Sequence, residues 1–338
     1  MESIKSLHTF GLDIYAGEVC HLISCDDFRS FLCNKGPRLL LGGGSDVLFT
    51  CNFEGTIGLI RNRGFDISER EDCYIVRTAA GENWHDLVTT LVKQGIGGLE
   101  NLALIPGTCG AAPVQNIGAY GSEFREVCNG VEIIDHNGKI SRLTPEECQF
   151  GYRTSIFKEK LSDKVIISSI ELRLKKDWKP NLNYGPLQEL QGNPDLTPQE
   201  VFHRVVAIRK KKLPDPRDLG NAGSFFKNPY VDKDVLAHLL KEYPDMPSYK
   251  INQSKYKLAA GWLIDQAGLK GYRLNQAGIY QQQALILVNH GQAIPADICQ
   301  VAKLVINRVY EMFGIKLIPE VRIIGRLGEI SPEEAFSL

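Results

Sequence analysis

The chain has 338 residues, of which 43% are apolar and 23% are charged, and its formal net charge is −1. This length predicts two or three domains, because single cores seldom grow past about 250–300 residues, and the composition is typical of a globular protein. The lack of a basic excess argues against nucleic acid or an anionic membrane surface as a partner. The longest apolar runs are too short to span a bilayer.

The cysteines are dispersed along the chain, at positions 20, 25, 33, 51, 73, 109, 128, 148 and 299, with no Cys-x-x-Cys pair. An odd and scattered set indicates reduced thiols rather than a disulfide framework or a zinc site. The first residues also lack the apolar core of a signal peptide. We therefore expect a cytoplasmic protein without a bound metal.

The first third contains a glycine-rich turn between two predicted strands. Residues 37–41 enter the turn, residues 42–46 read Gly-Gly-Gly-Ser-Asp, and residues 47–49 leave it as another strand. Glycines let backbone N–H groups crowd around an anion. The spacing fits neither a Rossmann fingerprint nor a P-loop, so a phosphate-binding turn and a plain tight hairpin both remain open.

An amphipathic helix and a second glycine-rich segment follow. Apolar side chains within residues 84–92 share one helical face, and Gly95 ends the helix. Small residues then dominate residues 106–121, which hold few side chains large enough to pack a core. A loop of this length and composition favours a ligand-wrapping role, and the alternative is a long surface loop.

Two capping boxes mark helix starts in the middle of the chain. Thr144 and Thr197 are each followed by proline and, three residues on, by Glu147 and Glu200. We predict a short helix after Thr144 and a longer one after Thr197. The basic run at 209–212 would be the solvated end of the longer helix, where cations suit the helix dipole.

The last third alternates helices and strands again. The pattern predicts one helix over 257–266 and a long one over about 298–312. A strand over 318–324 would place Glu320 and Arg322 on one face. A structural ion pair is the simplest interpretation of these two residues, and a catalytic carboxylate is the alternative.

One serine lies in an unusual loop, residues 220–229, which read Gly-Asn-Ala-Gly-Ser-Phe-Phe-Lys-Asn-Pro. Ser224 follows Gly223, which can adopt backbone shapes closed to other residues, and the two phenylalanines after it offer an apolar wall. No histidine lies within ten residues and the sequence is not Gly-x-Ser-x-Gly, which disfavours a hydrolase nucleophile. A proton-donating hydroxyl and a serine that only caps a helix both remain open.

Taken together, these segments resemble the UDP-N-acetylenolpyruvoylglucosamine reductase (UDP-N-acetylmuramate dehydrogenase) family, type I branch. Each motif is weak alone, but seven in family order are highly specific. The motifs lie at residues 42–49, 106–121, 151–158, 212–216, 220–229, 257–266 and 319–322.

The resemblance implies an α/β (α+β) fold in which a two-lobed, vanillyl-alcohol-oxidase-like (PCMH-type) FAD-binding region is joined to a C-terminal α/β substrate domain. The PCMH-type region would cover about residues 16–183. The implied domain limits are 1–66 for the first FAD-binding lobe, 67–213 for the second, 214–317 for the substrate-binding domain and 318–338 for a terminal strand that carries Glu320.

The resemblance also implies residue roles. Ser224 would be the proton donor, Glu320 the catalytic carboxylate, and Arg153 the arginine that faces the substrate carboxylate. The two glycine-rich segments would hold FAD through Gly42, Gly43, Gly44, Ser45, Asp46, Pro106, Gly107, Thr108, Cys109, Gly110, Gln115, Asn116, Ile117 and Gly118. The substrate would be contacted by Tyr152, Tyr184, Lys212, Asn228, Tyr249, Lys270 and Gln283.

The implied reaction is reduction of an enolpyruvyl UDP-sugar by NADPH through FAD, in peptidoglycan precursor synthesis, and we expect a monomer. FAD would be bound without a covalent link, because residues 41–49 contain neither His nor Cys and Cys109 is interpreted as a packing residue. Asp46 stands where the family usually has Asn, and a carboxylate repels a pyrophosphate. Another FAD oxidoreductase of the same superfamily and a non-catalytic nucleotide-sugar binding module are the two alternatives.

Overall fold

The structure is a computed structural model that describes residues 1–337. The described chain forms two compact units. The first unit combines Met1–Ala16, Ser45–Glu54 and the described residues from Lys212 onward, and the second combines Gly17–Gly44 with Gly55–Lys211. This division does not test the domain limits given above, which stay a prediction.

Residues 1–337 form helices that are interspersed among runs of strands. The helices are α1 (Cys25–Cys33), α2 (Trp84–Lys93), α3 (Pro198–Lys212), α4 (Lys233–Glu242), α5 (Ala260–Gln266), α6 (Pro295–Phe313) and α7 (Pro332–Phe336). The strands are β1 (Glu2–Ser3), β2 (Tyr15–Leu22), β3 (Arg38–Leu41), β4 (Val47–Phe49), β5 (Phe53–Ile60), β6 (Phe65–Glu69), β7 (Cys73–Ala79), β8 (Gly118–Ala119), β9 (Ser122–Glu123), β10 (Cys128–Asp135), β11 (Ile140–Leu143), β12 (Val165–Lys175), β13 (Gly220–Ser224), β14 (Tyr230–Asp232), β15 (Ser248–Lys250), β16 (Lys255–Leu258), β17 (Arg273–Leu274), β18 (Ala277–Ile279), β19 (Ile286–Asn289) and β20 (Arg322–Ile324).

The second unit is built on a five-stranded antiparallel sheet in the order β11-β10-β12-β7-β6. Helix α2 supplies much of its core, because Trp84, Leu87, Val88, Leu91 and Val92 are all buried on one face. The helix begins at Asn83, whose side chain accepts a hydrogen bond from a backbone N–H of the first turn. The predicted amphipathic helix is therefore confirmed. Strands β3 and β5 pair in parallel in this unit.

The first unit contains a four-stranded antiparallel sheet in the order β13-β19-β18-β17 and a three-stranded one in the order β14-β16-β15. Helix α6 packs against β18 and β19, and Gly314, with a φ of +66°, ends it in the left-handed conformation that glycine adopts easily. Strands β4 and β20 pair in parallel, with Arg322 opposite Val47. The long helix predicted here is confirmed.

Three elements differ from the sequence-based prediction. The capping box at Thr144 and Glu147 makes both of its hydrogen bonds, but no helix follows, because Gln149 already turns to a left-handed φ of +49°. The helix expected over 257–266 begins at Ala260, since Lys255–Leu258 is the central strand β16. The last predicted strand begins only at Arg322, so Glu320 lies before it.

Within residues 1–337, none of the helices combines the length and the apolar character that a membrane crossing requires.

Candidate active site

The two glycine-rich segments lie against each other in the second unit. A Cβ atom on Gly43 would stand 2.7 Å from the Cα atom of Gly107, and one on Gly42 would stand 2.5 Å from the Oγ1 atom of Thr108. Carbon atoms in ordinary contact are about 3.5–4.0 Å apart, so a side chain at position 43 would clash with the Gly107 backbone and one at position 42 would have to displace the Thr108 hydroxyl. Gly44 adds a φ of +61°. The segments predicted to hold FAD are thus neighbours, and their backbones approach without intervening side chains.

The second glycine-rich segment is held by unusual backbone conformations. Leu104, Asn116 and Tyr120 have φ values of +55°, +45° and +50°, which cost free energy in residues other than glycine and cluster at functional sites. Pro106, Gln115 and Ile117 lie on the same segment, which also contains the two-residue strand β8 (Gly118–Ala119). Backbone strain at two positions of this segment and at one just before it is a feature of functional loops.

The buried side chain of Asn116 explains how the loop is held. Its amide nitrogen donates to the Glu123 carboxylate at 3.0 Å and to the Gly151 carbonyl at 3.1 Å, while its amide oxygen accepts from the Arg125 backbone at 3.0 Å. These contacts are all to protein groups. Asn116 therefore positions the loop, and its backbone is the part suited to a cofactor.

The thiol of Cys109 is buried in a short 3₁₀ turn, Cys109–Ala111. Backbone N–H groups of Cys109 and Gly110 donate to the Glu82 and Ala80 carbonyls at 2.8 Å each, which anchors the turn to the end of the sheet. Burial raises the pKa of the Cys109 thiol to about 12. Since a protonated thiol is a poor nucleophile, this cysteine is suited to packing rather than to covalent attachment.

Arg153 stands beside the end of the loop. Its Nη2 atom donates to the Gly118 carbonyl at 2.9 Å, and its guanidinium lies 5.5 Å from the ring centroid of Tyr152, within cation–π range. Its own φ is +55°. Tyr184 is exposed and meets Tyr120 edge to face at 5.7 Å. The second unit thus gathers an arginine and three tyrosines around the second glycine-rich segment.

Ser224 and the Glu320 segment lie side by side in the first unit. Ser224 is the last residue of β13 and is exposed, and Gly223 before it has a φ of +69°. The Glu320 backbone N–H donates to the Phe225 carbonyl at 2.7 Å, and Phe226 and Pro319 form a β-bridge. The chain thus brings a half-buried carboxylate residue next to the segment that carries the hydroxyl.

The sequence predicted that the two phenylalanines after Ser224 form an apolar wall beside its hydroxyl, but both point into the core. Phe225 and Phe226 are 0% and 1% exposed, and Phe225 packs edge to face on Phe10 at 6.4 Å. They anchor the serine segment in the core instead. The proposal that Ser224 caps a helix also fails, because Ser224 ends a strand and pairs with Ile286.

Ser45 and Asp46 continue the first glycine turn into the first unit. The Arg322 N–H donates to the Asp46 carbonyl at 3.0 Å, so the parallel pairing of β4 with β20 begins at this turn. The Arg322 guanidinium forms an ion pair with Glu329 at 2.9 Å. The backbone hydrogen bond between Asp46 and Arg322 thus ties the glycine turn to a residue that lies two positions after Glu320.

The expected substrate-contacting residues of the first unit fall into separate groups. The Asn228 side-chain oxygen accepts from the Ala260 N–H at 2.9 Å, and the Gln283 side-chain oxygen lies beside Gly261, so both residues meet at the first turn of α5. Lys270 is paired with Asp265 at 2.9 Å. The exposed Tyr249 carries the Lys257 ammonium 6.0 Å from its ring centroid, and Lys212 is an exposed residue at the end of α3. Asn228 is thus hydrogen-bonded to α5, and Gln283 lies against the same helix.

Sequence reasoning missed Arg209. The basic run was expected to be solvated, which holds for Lys210, Lys211 and Lys212, but the Nη2 atom of Arg209 donates to the Leu104 carbonyl at 3.2 Å and its Nε atom is buried without a hydrogen-bond partner. The signal was available, because Arg209 lies four residues after Val205 and so borders the buried face of the helix.

The close approach at Gly42 and Gly43 indicates whether this site could hold FAD. A narrow cradle in which Cβ atoms added to Gly42 or Gly43 would clash lets the backbone approach a pyrophosphate closely, and the residues present therefore fit the cofactor. Residues 1–337 contain no cluster of three or more His, Cys, Asp or Glu side chains that would suit a metal ion.

Comparisons with known proteins agree with this geometry. Residues 31–144 match the family model described as "FAD binding domain", and residues 215–324 match the model described as "UDP-N-acetylenolpyruvoylglucosamine reductase, C-terminal domain". The fold, the two glycine-rich segments and these two matches together define the chain as a flavin-binding oxidoreductase.

Relatives specify the family. The chain is 45% identical to the UDP-N-acetylenolpyruvoylglucosamine reductase of Pasteurella multocida, over 99% of this chain and 100% of the relative. It is 48% identical to that of Photorhabdus laumondii, over 100% of both. It belongs to the UDP-N-acetylenolpyruvoylglucosamine reductase family, and its cofactor is FAD. The crystal structure of the reductase from Thermus caldophilus, 24% identical, has a TM-score of 0.67 over 95% of this chain and 97% of that one, which supports the fold.

Proposed function

We propose that this protein reduces UDP-N-acetyl-3-O-(1-carboxyvinyl)glucosamine to UDP-N-acetylmuramate with NADPH, in the synthesis of peptidoglycan precursors. The observation that carries the proposal for the active residues is the 2.7 Å backbone hydrogen bond from Glu320 to Phe225, the residue after Ser224. It sets a carboxylate and a hydroxyl on adjoining segments, as proton transfer next to a developing negative charge requires.

Bound FAD supplies the hydride, which it receives from NADPH. Gly42 and Gly43 would let backbone N–H groups approach its pyrophosphate, since an added Cβ would clash at either position, and Gly107 lies directly against Gly43. Hydride addition to the terminal methylene carbon leaves an enolate whose charge spreads into the substrate carboxylate. Arg153 would bind that carboxylate, and its cation–π contact with Tyr152 would fix the guanidinium.

Ser224 would donate its hydroxyl proton to the enolate carbon, which completes the reduction. A serine hydroxyl is a weak acid, so its placement matters more than its acidity. Gly223 and the buried Phe225 hold the serine from both sides. Glu320 would stabilise the enolate through a hydrogen bond. The remaining substrate contacts would come from Asn228, Gln283 and the other substrate-contacting residues named above.

Ser224→Ala tests the assignment because it separates the two half-reactions. Flavin reduction by NADPH needs no proton from Ser224 and should keep its rate, whereas reoxidation by the enolpyruvyl substrate should slow by roughly 10²–10⁴-fold. Stopped-flow absorbance of the flavin measures each step separately. Ser68→Ala, on the edge strand β6, is the matched control and should change neither rate. Reoxidation of Ser224→Ala at the parental rate would reduce Ser224 to a structural residue.

We also propose a monomeric, cytoplasmic protein. All residues given a role belong to one chain, and NADPH and nucleotide sugars are cytoplasmic metabolites. Sedimentation analysis and cell fractionation test these two points. A stable dimer or a periplasmic location would contradict them.

A further inference from the structure

Arg209 is an arginine that no carboxylate of the described residues pairs with. Arg209 is half-buried in the second unit, with one 3.2 Å hydrogen bond from Nη2 to the Leu104 carbonyl and a buried Nε–H that has no partner. Among residues 1–337, no Asp or Glu forms an ion pair with it. A buried cation in that position is costly unless something else pairs with it.

The surroundings of Arg209 raise that cost. Arg153 is close enough to repel it, and burial together with this repulsion lowers the pKa of the Arg209 guanidinium, while only the Tyr120 hydroxyl acts in the opposite direction. Arg153 itself reaches the Gly118 carbonyl at 2.9 Å. Two guanidinium groups thus share one part of the second unit, next to the loop of residues 106–121.

Arg204 shows what a structural arginine on the same helix looks like. It lies five residues before Arg209, and its Nε atom is likewise buried without a hydrogen bond, but its guanidinium is paired with the Glu189 carboxylate. Arg209 has no such carboxylate; it donates to a backbone carbonyl and lies near a second cation, Arg153. The described chain therefore pairs Arg204 with a carboxylate but does not do so for Arg209.

The contact to Leu104 gives Arg209 a fixed position. The Leu104 N–H donates to the His85 Nδ1 atom at 3.1 Å, and its carbonyl accepts from Arg209, so both backbone groups of this left-handed residue are bound by side chains. Burial, the largest cause, lowers the pKa of His85, which keeps its ring nitrogen available as an acceptor. Since Leu104 lies two residues before the loop of residues 106–121, the Arg209 guanidinium is positioned relative to that loop.

We propose that Arg209 is a second guanidinium for a delocalised oxyanion bound beside Arg153, either the carboxylate of the UDP-sugar or the anionic edge of reduced flavin. This inference rests on the proposed function, because that function supplies both anions. A planar guanidinium with several donors suits both, whereas lysine offers only a point charge.

The test compares Arg209→Gln, Arg209→Lys and the control Arg204→Gln as FAD-loaded proteins. Glutamine keeps a donor for the Leu104 carbonyl but removes the charge. Calorimetric titration with UDP-N-acetylmuramate, which has a carboxylate, and with UDP-N-acetylglucosamine, which has none, measures recognition of the substrate anion. The midpoint potential and the spectrum of the flavin measure recognition of the flavin anion.

For the substrate carboxylate, Arg209→Gln should weaken UDP-N-acetylmuramate binding by about 10- to 150-fold, the equivalent of a charge-assisted hydrogen bond. Binding of UDP-N-acetylglucosamine should change less than twofold. For the flavin anion, the ratio of the two affinities should stay constant while the midpoint potential falls. Arg209→Lys should recover part of either effect, and Arg204→Gln should show neither.

A constant affinity ratio together with a constant potential in Arg209→Gln would overturn the proposal and leave Arg209 as a clamp on Leu104. Equal losses for both UDP-sugars without a change in potential would overturn it as well. Failure of the proposed function is a separate result, because the parent protein would then not reoxidise with the enolpyruvyl substrate.

Discussion

Gly43→Ala is the sharpest test of the glycine cradle, because its effect is steric alone. Gly43 does not have a left-handed φ, so alanine would not strain its backbone. The new methyl group would stand 2.7 Å from the Gly107 Cα atom, whereas carbon atoms in contact are about 3.5–4.0 Å apart. The two segments would have to separate by about 1 Å, and a backbone neighbour cannot swing aside as a side chain would.

Overpacking of this kind costs about 1–3 kcal/mol. Without cofactor the segments can separate to relieve the clash, and binding of FAD would bring them together again. The cost would then appear as weaker binding, by about 5- to 140-fold. Fluorescence titration of the apoprotein with FAD measures the dissociation constant, and thermal unfolding of the same apoprotein shows whether the variant is folded.

Gly328→Ala is the matched control, since no heavy atom lies within 4 Å of its added Cβ and its φ is not left-handed. It should bind FAD as the parent does. If Gly43→Ala also binds FAD with parental affinity, the separation of the two segments does not matter to the cofactor. The close approach of the two glycine-rich segments would then serve the packing of the protein and not the binding of FAD.

Three further predictions concern the cofactor and stability. Asp46→Asn should bind FAD at least as tightly as the parent, with a gain of up to about 0.5–1 kcal/mol from the lost repulsion, and a marked loss in flavin titration would reveal a contact that requires the carboxylate. Acid precipitation should leave the yellow colour in the supernatant, because the Cys109 thiol is buried, and colour in the pellet would disprove non-covalent binding. Burial lowers the pKa of His8 to about 4, below its unfolded value of about 6.5, so stability should fall as the pH drops below 6.5. Between pH 7 and 5 the loss should be about 2 kcal/mol, and urea midpoints that fall equally in His8→Gln would contradict this origin.

The sequence predicted elements wherever one local pattern dominated. Trp84 and its apolar neighbours specify α2, and Gly314 ends α6 where expected. The prediction failed at Thr144, where both capping hydrogen bonds form without a helix, because capping describes how a helix begins and the left-handed Gln149 decides where this turn ends. Lys257 was assigned to a helix for a similar reason, since its pairing with two other strands is a non-local property.

The candidate site shows the same limit more clearly. Family motifs gave Ser224, Glu320 and Arg153, but no motif states which contacts hold them. Arg209 was taken for a solvated cation because three lysines follow it, and its buried contact with Leu104 depends on a residue 105 positions earlier in the chain. Buried polar contacts across such distances leave little trace in a single sequence.

The error at the last strand is instructive about how Glu320 is held. Pro319 has no N–H to donate and so interrupts the ladder that a full strand over 318–324 would need. The Lys227 N–H still donates to the Ile318 carbonyl at 2.9 Å, and the Glu320 N–H donates to the Phe225 carbonyl at 2.7 Å. Because these two bonds involve only the backbone, replacement of the Glu320 carboxylate leaves both of them available to hold the segment. Glu320→Gln changes the charge while it keeps these backbone bonds, and it therefore probes enolate stabilisation in the reoxidation half-reaction.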